Sequence, residues 1–133
     1  MRASAETLLL GLARDIALRA ATLERGADVE AIAITLLGAY APDAPLATAL
    51  REDWLRSRND KTGRLALAWA REQLRLALSE VLQRARAIRS IRGDGNVDTL
   101  AWLWLAACEA LAHEPPSAVS DRAHALLAFL NAT

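Results

Sequence analysis

From Asp60 to Arg92 the chain runs without a proline, and Leu67, Ala70, Leu74, Ala77, Leu78, Val81, Ala85 and Ile88 recur at helical spacing. Successive residues of an α-helix turn by about 100°, so these side chains share one face for about six turns. The resulting rod is on the order of 45 Å long at ~1.5 Å per residue. Composition agrees with a helical reading. Alanine and leucine fill 54 of the 133 positions, whereas valine, isoleucine and threonine together fill 16. Helices favour the first pair and strands the second group, so the chain is predicted to be all-α.

Punctuation marks out the other helices. Ser4 caps a first helix over about 4–25, with Leu9, Leu12, Ala13, Ile16, Ala20 and Leu23 on one face and Gly26 ending it. Asp28 caps a second over 28–40, stopped before Pro42; its almost wholly apolar interior predicts a central, buried helix. Asp43 and Pro45 open a third over 44–57, carrying Leu46, Leu50 and Trp54. Asn59 or Asp60 caps the long fourth helix, 60–92, which Gly93 and Gly95 break. Asn96 or Asp98 starts a fifth, 98–113, ending at Pro115-Pro116, and Ser117 caps a sixth over 117–131. No repeat or linker interrupts this order, so residues 1–133 read as a single six-helix domain.

Several classes of function are excluded or left without support. Sixteen basic and sixteen acidic residues give zero net charge, which removes any global electrostatic case for nucleic acid or an anionic membrane. No stretch reaches the length of a membrane span, and Glu6, Arg14 and Asp15 interrupt any signal-peptide pattern. A cytoplasmic protein is the expectation. Cys108 is the sole cysteine and His113 and His124 the sole histidines, too few for an all-protein transition-metal site unless carboxylates help. Dinucleotide, phosphate-loop, zinc-protease and nucleophile-elbow motifs are all missing. No catalytic residue, metal site or cofactor is assigned, and enzyme activity is not expected.

The remaining residues of interest each carry two readings. Cys108, inside the apolar run from Trp102, reads as a buried structural thiol before a reactive one. His113 suits the negative end of its helix, with a ligand contact as the alternative. Arg84, Arg86, Arg89 and Arg92 satisfy the end of the long helix before they suggest an anion site. Tyr40, Trp54 and Trp69 are explained most simply by core packing; the alternative is an aromatic-lined small-molecule cavity. The fifth helix is apolar on two sides, one reading Ala101, Trp104, Leu105, Cys108 and Leu111, the other Trp102, Ala106, Ala110 and His113. Such a helix is either fully central or has an intermolecular partner. The apolar sixth helix beside it, at a chain terminus, favours the partner.

In order and length these six helices resemble the C-terminal regulatory domain of the tetracycline-repressor (TetR/AcrR) family of bacterial transcription regulators. The most specific stretch is Ile91-Arg-Gly-Asp-Gly-Asn-Val-Asp-Thr-Leu-Ala-Trp-Leu-Trp-Leu-Ala-Ala-Cys-Glu-Ala-Leu, which is similar to that family's junction after the long helix. Ser4-Ala-Glu-Thr-Leu-Leu-Leu resembles its entry into the first regulatory helix. The resemblance implies that the last two helices form a four-helix bundle in a homodimer. Trp102, Trp104, Leu105, Cys108, Leu111, Leu126, Leu127 and Leu130 are then the candidate interface. It also implies a pocket among the middle helices for an apolar small-molecule effector, near the candidate residues Tyr40, Trp54 and Trp69. The family's helix-turn-helix with its Gly-Thr-Tyr-type signature is not found ahead of Ser4. The chain is accordingly expected to be a truncated form or a stand-alone relative that senses or dimerises, with DNA contacted only through a helix-turn-helix it lacks. The competing expectation is a ligand-free helical dimerisation or protein-interaction module.

Overall fold

Ser4, Asp60 and Asn96 each start a helix by the same chemistry: a side-chain oxygen accepts the backbone N–H three residues on, from Thr7, Gly63 and Thr99. Each bond satisfies one of the orphan amides that open a helix. The computed structural model describes residues 3–131, so the first and last two residues of the expected 1–133 domain lie outside the described residues. Six α-helices result: α1 (Ala5–Ala21), α2 (Gly26–Ala39), α3 (Pro45–Arg56), α4 (Lys61–Ala87), α5 (Val97–Leu111) and α6 (Pro116–Leu130). A short 3-10 turn, Ser57–Asn59, joins α3 to α4. The all-α six-helix reading holds.

Boundaries differ where turn chemistry outweighs the obvious signal. α1 stops at Ala21 with Thr22 as its cap, and Gly26 begins α2 instead of ending α1. Asp28 is therefore not the cap but the third residue of α2. Its carboxylate reaches back to accept the N–H groups of Glu24 and Arg25, which hold it below the usual carboxylate range. The long helix ends at Ala87, ahead of the expected Arg92. Arg89 N–H donates to the Arg86 carbonyl and Ser90 N–H to the Ala85 carbonyl, while Arg89 itself takes a φ of 58°. That pair of bonds is a Schellman motif, here closed by an arginine where glycine usually stands. Gly93 and Gly95 lie in the following connection, with Gly95 at a φ of 85°.

The centre of the molecule is α4, not α2. Leu9, Ala13, Ile16 and Ala20 of α1 lie along Ala70, Leu74, Ala77, Leu78 and Val81 of α4, forming the most extensive helix pair. Alanines at the crossing let the two backbones approach closely. α2 buries Val29, Ile32, Ala33 and Leu36 but leaves Ile34 exposed, so it covers the core from one side. α5 lies on α4 through Leu100, Ala101, Trp104, Leu105 and Cys108. Fully burying one leucine of such a stripe contributes roughly 1.5–3 kcal/mol. At its far end α6 is fastened by Leu130, whose carbonyl accepts the Arg92 N–H, and by the Arg92 guanidinium over the Phe129 ring at 4.5 Å.

Three of the four arginines at the end of α4, all but Arg89, bind protein groups. Arg86 donates to the carbonyls of Asp94 and Gly95, Arg92 forms two bonds to the Asp94 carboxylate, and Arg84 faces Glu80. Arg86 thereby draws the α4–α5 connection back over the helix end. This is the structural reading of the cluster.

Candidate functional site: a cavity beneath Tyr40

Tyr40 closes α2 as its C-cap residue, and its side chain is completely buried. Its ring forms part of a half-open cavity of about 710 Å³ where α3 bridges α1, α4 and the end of α5. Leu9 of α1, Ala47, Leu50 and Trp54 of α3 and Leu67 of α4 supply apolar walls. Arg71 of α4, Glu109 of α5, and Arg51 and His113 supply polar groups. The size lies within the ~300–1,000 Å³ range of small-molecule sites, and apolar walls with a few convergent polar groups are their usual chemistry.

The polar groups are arranged unevenly. Arg71 Nε donates to Glu109 Oε2 at 2.7 Å and an Arg71 terminal nitrogen to Oε1 at 2.8 Å, a two-pronged pair that cancels both charges. Arg51 donates to the carbonyls of Ala112 and Pro42 at 3.4 and 3.3 Å and to the Thr48 hydroxyl. The Tyr40 hydroxyl is buried and has no hydrogen-bond partner among the described residues. Burial, then the nearby Glu109 and Cys108, push its ionisation far above the usual phenol range, and Arg71 opposes them. The group therefore stays an O–H donor at any physiological pH, and leaving such a group unpaired costs roughly 1–3 kcal/mol.

Of the three aromatics expected to share a cavity, the structure brings two together. Tyr40 and Trp54 both line it, Tyr40 from the depth and Trp54 from the rim, where it is 65% exposed. Trp69 does not. It is 57% exposed on a separate groove between α4 and α1, beside Leu10, Ala17 and Leu76. Helix geometry is the reason: Leu67 and Arg71, four apart, point at the cavity, and Trp69 between them is rotated about 200° from Leu67. The residues overlooked in the sequence are Leu50, Arg51, Leu67, Arg71 and Glu109. The i, i+4 pair Leu67–Arg71 carried a usable signal, but the partnership of Arg71 with Glu109 joins two helices and has no local signature.

The expected dimer surface is also redistributed. Trp104, Leu105, Cys108, Leu111 and Leu130 are buried within the protomer, because this side of α5 packs on α4. Leu126 and Leu127 are half-buried. Trp102 alone of the expected set stands outward, 51% exposed, with Leu103 and Phe129 also exposed on this α5–α6 side. A groove of about 360 Å³ between α5 and α6, edged by Leu103, Ala107, Leu126 and Phe129, completes this apolar side. Cys108 is the buried thiol that the sequence implies; burial pushes its ionisation up to about 12.

Among the described residues no group of three metal-ligating side chains comes together, and no helix is long and apolar enough to cross a membrane. Comparison with protein-family models, with curated proteins and with solved structures gave no match.

Proposed function

We propose that this chain is the effector-sensing and dimerisation domain of a TetR-like transcriptional regulator, taking an apolar small molecule into the cavity beneath Tyr40. One observation carries the sensing half: a half-open cavity of about 710 Å³ has mostly apolar walls and a few polar groups, the usual chemistry of a small-molecule site. A ligand that fits these walls gains buried apolar area. The dimer half is supported by the outward Trp102, Leu103 and Phe129 beside an apolar groove. In such a regulator the effector shifts the balance between two states of the dimer, and DNA is reached through a helix-turn-helix outside this chain. The domain itself would act in the cytoplasm and without catalysis.

A second reading rests on the same α5–α6 surface: a ligand-free dimerisation module, in which the cavity is only loose packing. Thermal unfolding against a panel of apolar molecules separates the two. A ligand at a hundred times its dissociation constant stabilises the folded state by about 2.7 kcal/mol. Sensing predicts that some members raise the unfolding temperature saturably, and that Leu50→Trp, which fills the cavity, removes the effect. A panel without effect in the wild type leaves only the dimerisation module.

A further inference from the structure

The cavity's charged groups also bear on the head group of a bound molecule, an inference that rests on the reading of the cavity as a ligand site. Apart from Tyr40, four ionisable side chains line it: Arg51, Arg71, Glu109 and His113. Arg71 and Glu109 hold one another through bonds of 2.7 and 2.8 Å, so together they present no net charge. Arg51 is different. It forms no ion pair among the described residues, and its acceptors are the neutral oxygens of Ala112, Pro42 and Thr48. These contacts measure 3.4, 3.3 and 3.5 Å. All are longer than the roughly 2.7–3.2 Å of a good N–H···O bond. Its Nε–H has no acceptor among the described residues. An excess positive charge is left over, and both Arg51 and His113, the residue after Ala112, are exposed, which places that charge at the cavity's opening.

We propose that the cavity takes an amphipathic anion, with an apolar body among Leu50, Trp54 and Leu67 and one carboxylate at the opening on Arg51, beside His113. A carboxylate is a stronger acceptor than the three neutral oxygens that Arg51 reaches, and its two oxygens match the planar guanidinium fork. The half-open form of the cavity suits this division. A head group at the opening keeps part of its water and avoids the cost of a buried charge, while the body gains from burial. An ammonium head meets the excess positive charge instead, and the carboxylate of Glu109 is already taken by Arg71. A wholly apolar molecule fills the walls but leaves Arg51 with its long contacts. A phosphate dianion calls for more cationic donors than one free arginine supplies.

Three probes on one phenylbutyl skeleton test this: 4-phenylbutyrate, 4-phenylbutyramide and 4-phenylbutylamine. Each is titrated by calorimetry or NMR into the full chain and into Arg51→Gln, Arg51→Lys and Leu50→Trp, with folding of the variants checked by circular dichroism. In low salt the wild type is expected to bind the carboxylate about twofold to fivefold more tightly than the amide, the worth of an exposed ion pair, and the amine most weakly. Salt at about 0.5 M should shrink that ratio, because it screens exposed charges and acts alike on the shared apolar body. Arg51→Gln should bring carboxylate and amide level, and Arg51→Lys should keep most of the advantage. Leu50→Trp should weaken every probe that binds. Equal binding of carboxylate and amide, a preference for the amine, a ratio unmoved by salt, or an advantage that survives Arg51→Gln overturns the anion assignment while leaving the cavity a ligand site. Failure of all three probes to bind, or binding indifferent to Leu50→Trp, overturns the cavity reading together with the anion assignment. The wild-type ratio at the two salt concentrations is decisive even if a variant does not fold.

Discussion

Arg71 grips Glu109 with two parallel N–H···O bonds of 2.7 and 2.8 Å, tying the middle of α4 to the last turns of α5. Both side chains are about one-third exposed, so water screens the attraction without removing it. The pair stands in the wall of the Tyr40 cavity, which links the geometry of the site to the packing of α5. A double-mutant cycle of Arg71→Ala and Glu109→Ala should give a coupling energy of about 1 kcal/mol, the upper end for partly exposed pairs. Denaturant unfolding of the four proteins measures it. A coupling near zero would mean that this pair adds nothing to the apolar packing of α5 on α4 and to the bond from Ser79 to Asp98.

The two tryptophans of α5 should behave oppositely. Trp104 is buried against α4, and its loss to alanine is expected to destabilise by about 3–5 kcal/mol. Trp102 points outward beside the Leu103 and Phe129 surface, so Trp102→Glu should cost the protomer's own core little, and any loss of stability should come through the subunit interface. If α5 and α6 form the dimer, Trp102→Glu and Phe129→Glu should convert dimer to monomer in sedimentation velocity. Wild-type protein that sediments as a monomer at micromolar concentration would remove the dimer from the proposal.

This division of α5 shows how far the sequence could be read. Two apolar sides were visible there, because helical rotation fixes which residues share a face. Which side meets the protomer's own core depends on α4, whose contribution lies elsewhere in the chain. The same limit applies to the cavity. Tyr40 and Trp54 could be picked out as aromatics, but Trp69 went with them because periodicity alone does not say which neighbour a flank faces. Helix starts were legible wherever a side chain caps locally, as at Ser4, Asp60 and Asn96. Ends were less so. Gly26 and Gly93 look like stops, yet α1 closes on Thr22 and α4 on a left-handed arginine, neither of which has a glycine's signature.

Asp94 makes the connection between α4 and α5 sensitive to acid. Its carboxylate accepts two bonds from Arg92, which hold its pKa at about 2, below the ordinary 3.8. A carboxyl group with a depressed folded value stabilises the protein above its unfolded value, and the unfolded chain binds the proton first as pH falls. The contribution of Asp94 is thus complete above pH 4 and is lost as pH drops from about 4 through about 2. Asp94→Asn should flatten the stability profile in that window and leave Arg92 stacked on Phe129. Unfolding midpoints measured from pH 6 to pH 2 test it; identical slopes for the two proteins would show that Asp94 titrates normally.

Arg89 offers a substitution that should stabilise. Its φ of 58° lies in the left-handed region, where an L-residue with a Cβ is strained by roughly 1 kcal/mol. The Schellman turn requires that conformation: the Arg89 and Ser90 amides can reach the carbonyls of Arg86 and Ala85 only if the chain reverses there. The arginine side chain is exposed and makes no ion pair among the described residues, so little is lost on removing it. Glycine at this position keeps both backbone bonds and removes the steric strain, at the cost of a more flexible unfolded chain. The balance favours Arg89→Gly by about 0.5 kcal/mol. Gly95, at a φ of 85°, supplies the opposite test. A Cβ built there meets only Leu100 at ordinary contact distance, so Gly95→Ala should destabilise by about 1 kcal/mol through backbone strain alone. Opposite shifts in the urea midpoint are therefore expected from the two exchanges. If Arg89→Gly lowers the midpoint instead, the arginine side chain contributes more to the α4 terminus than its exposed position indicates.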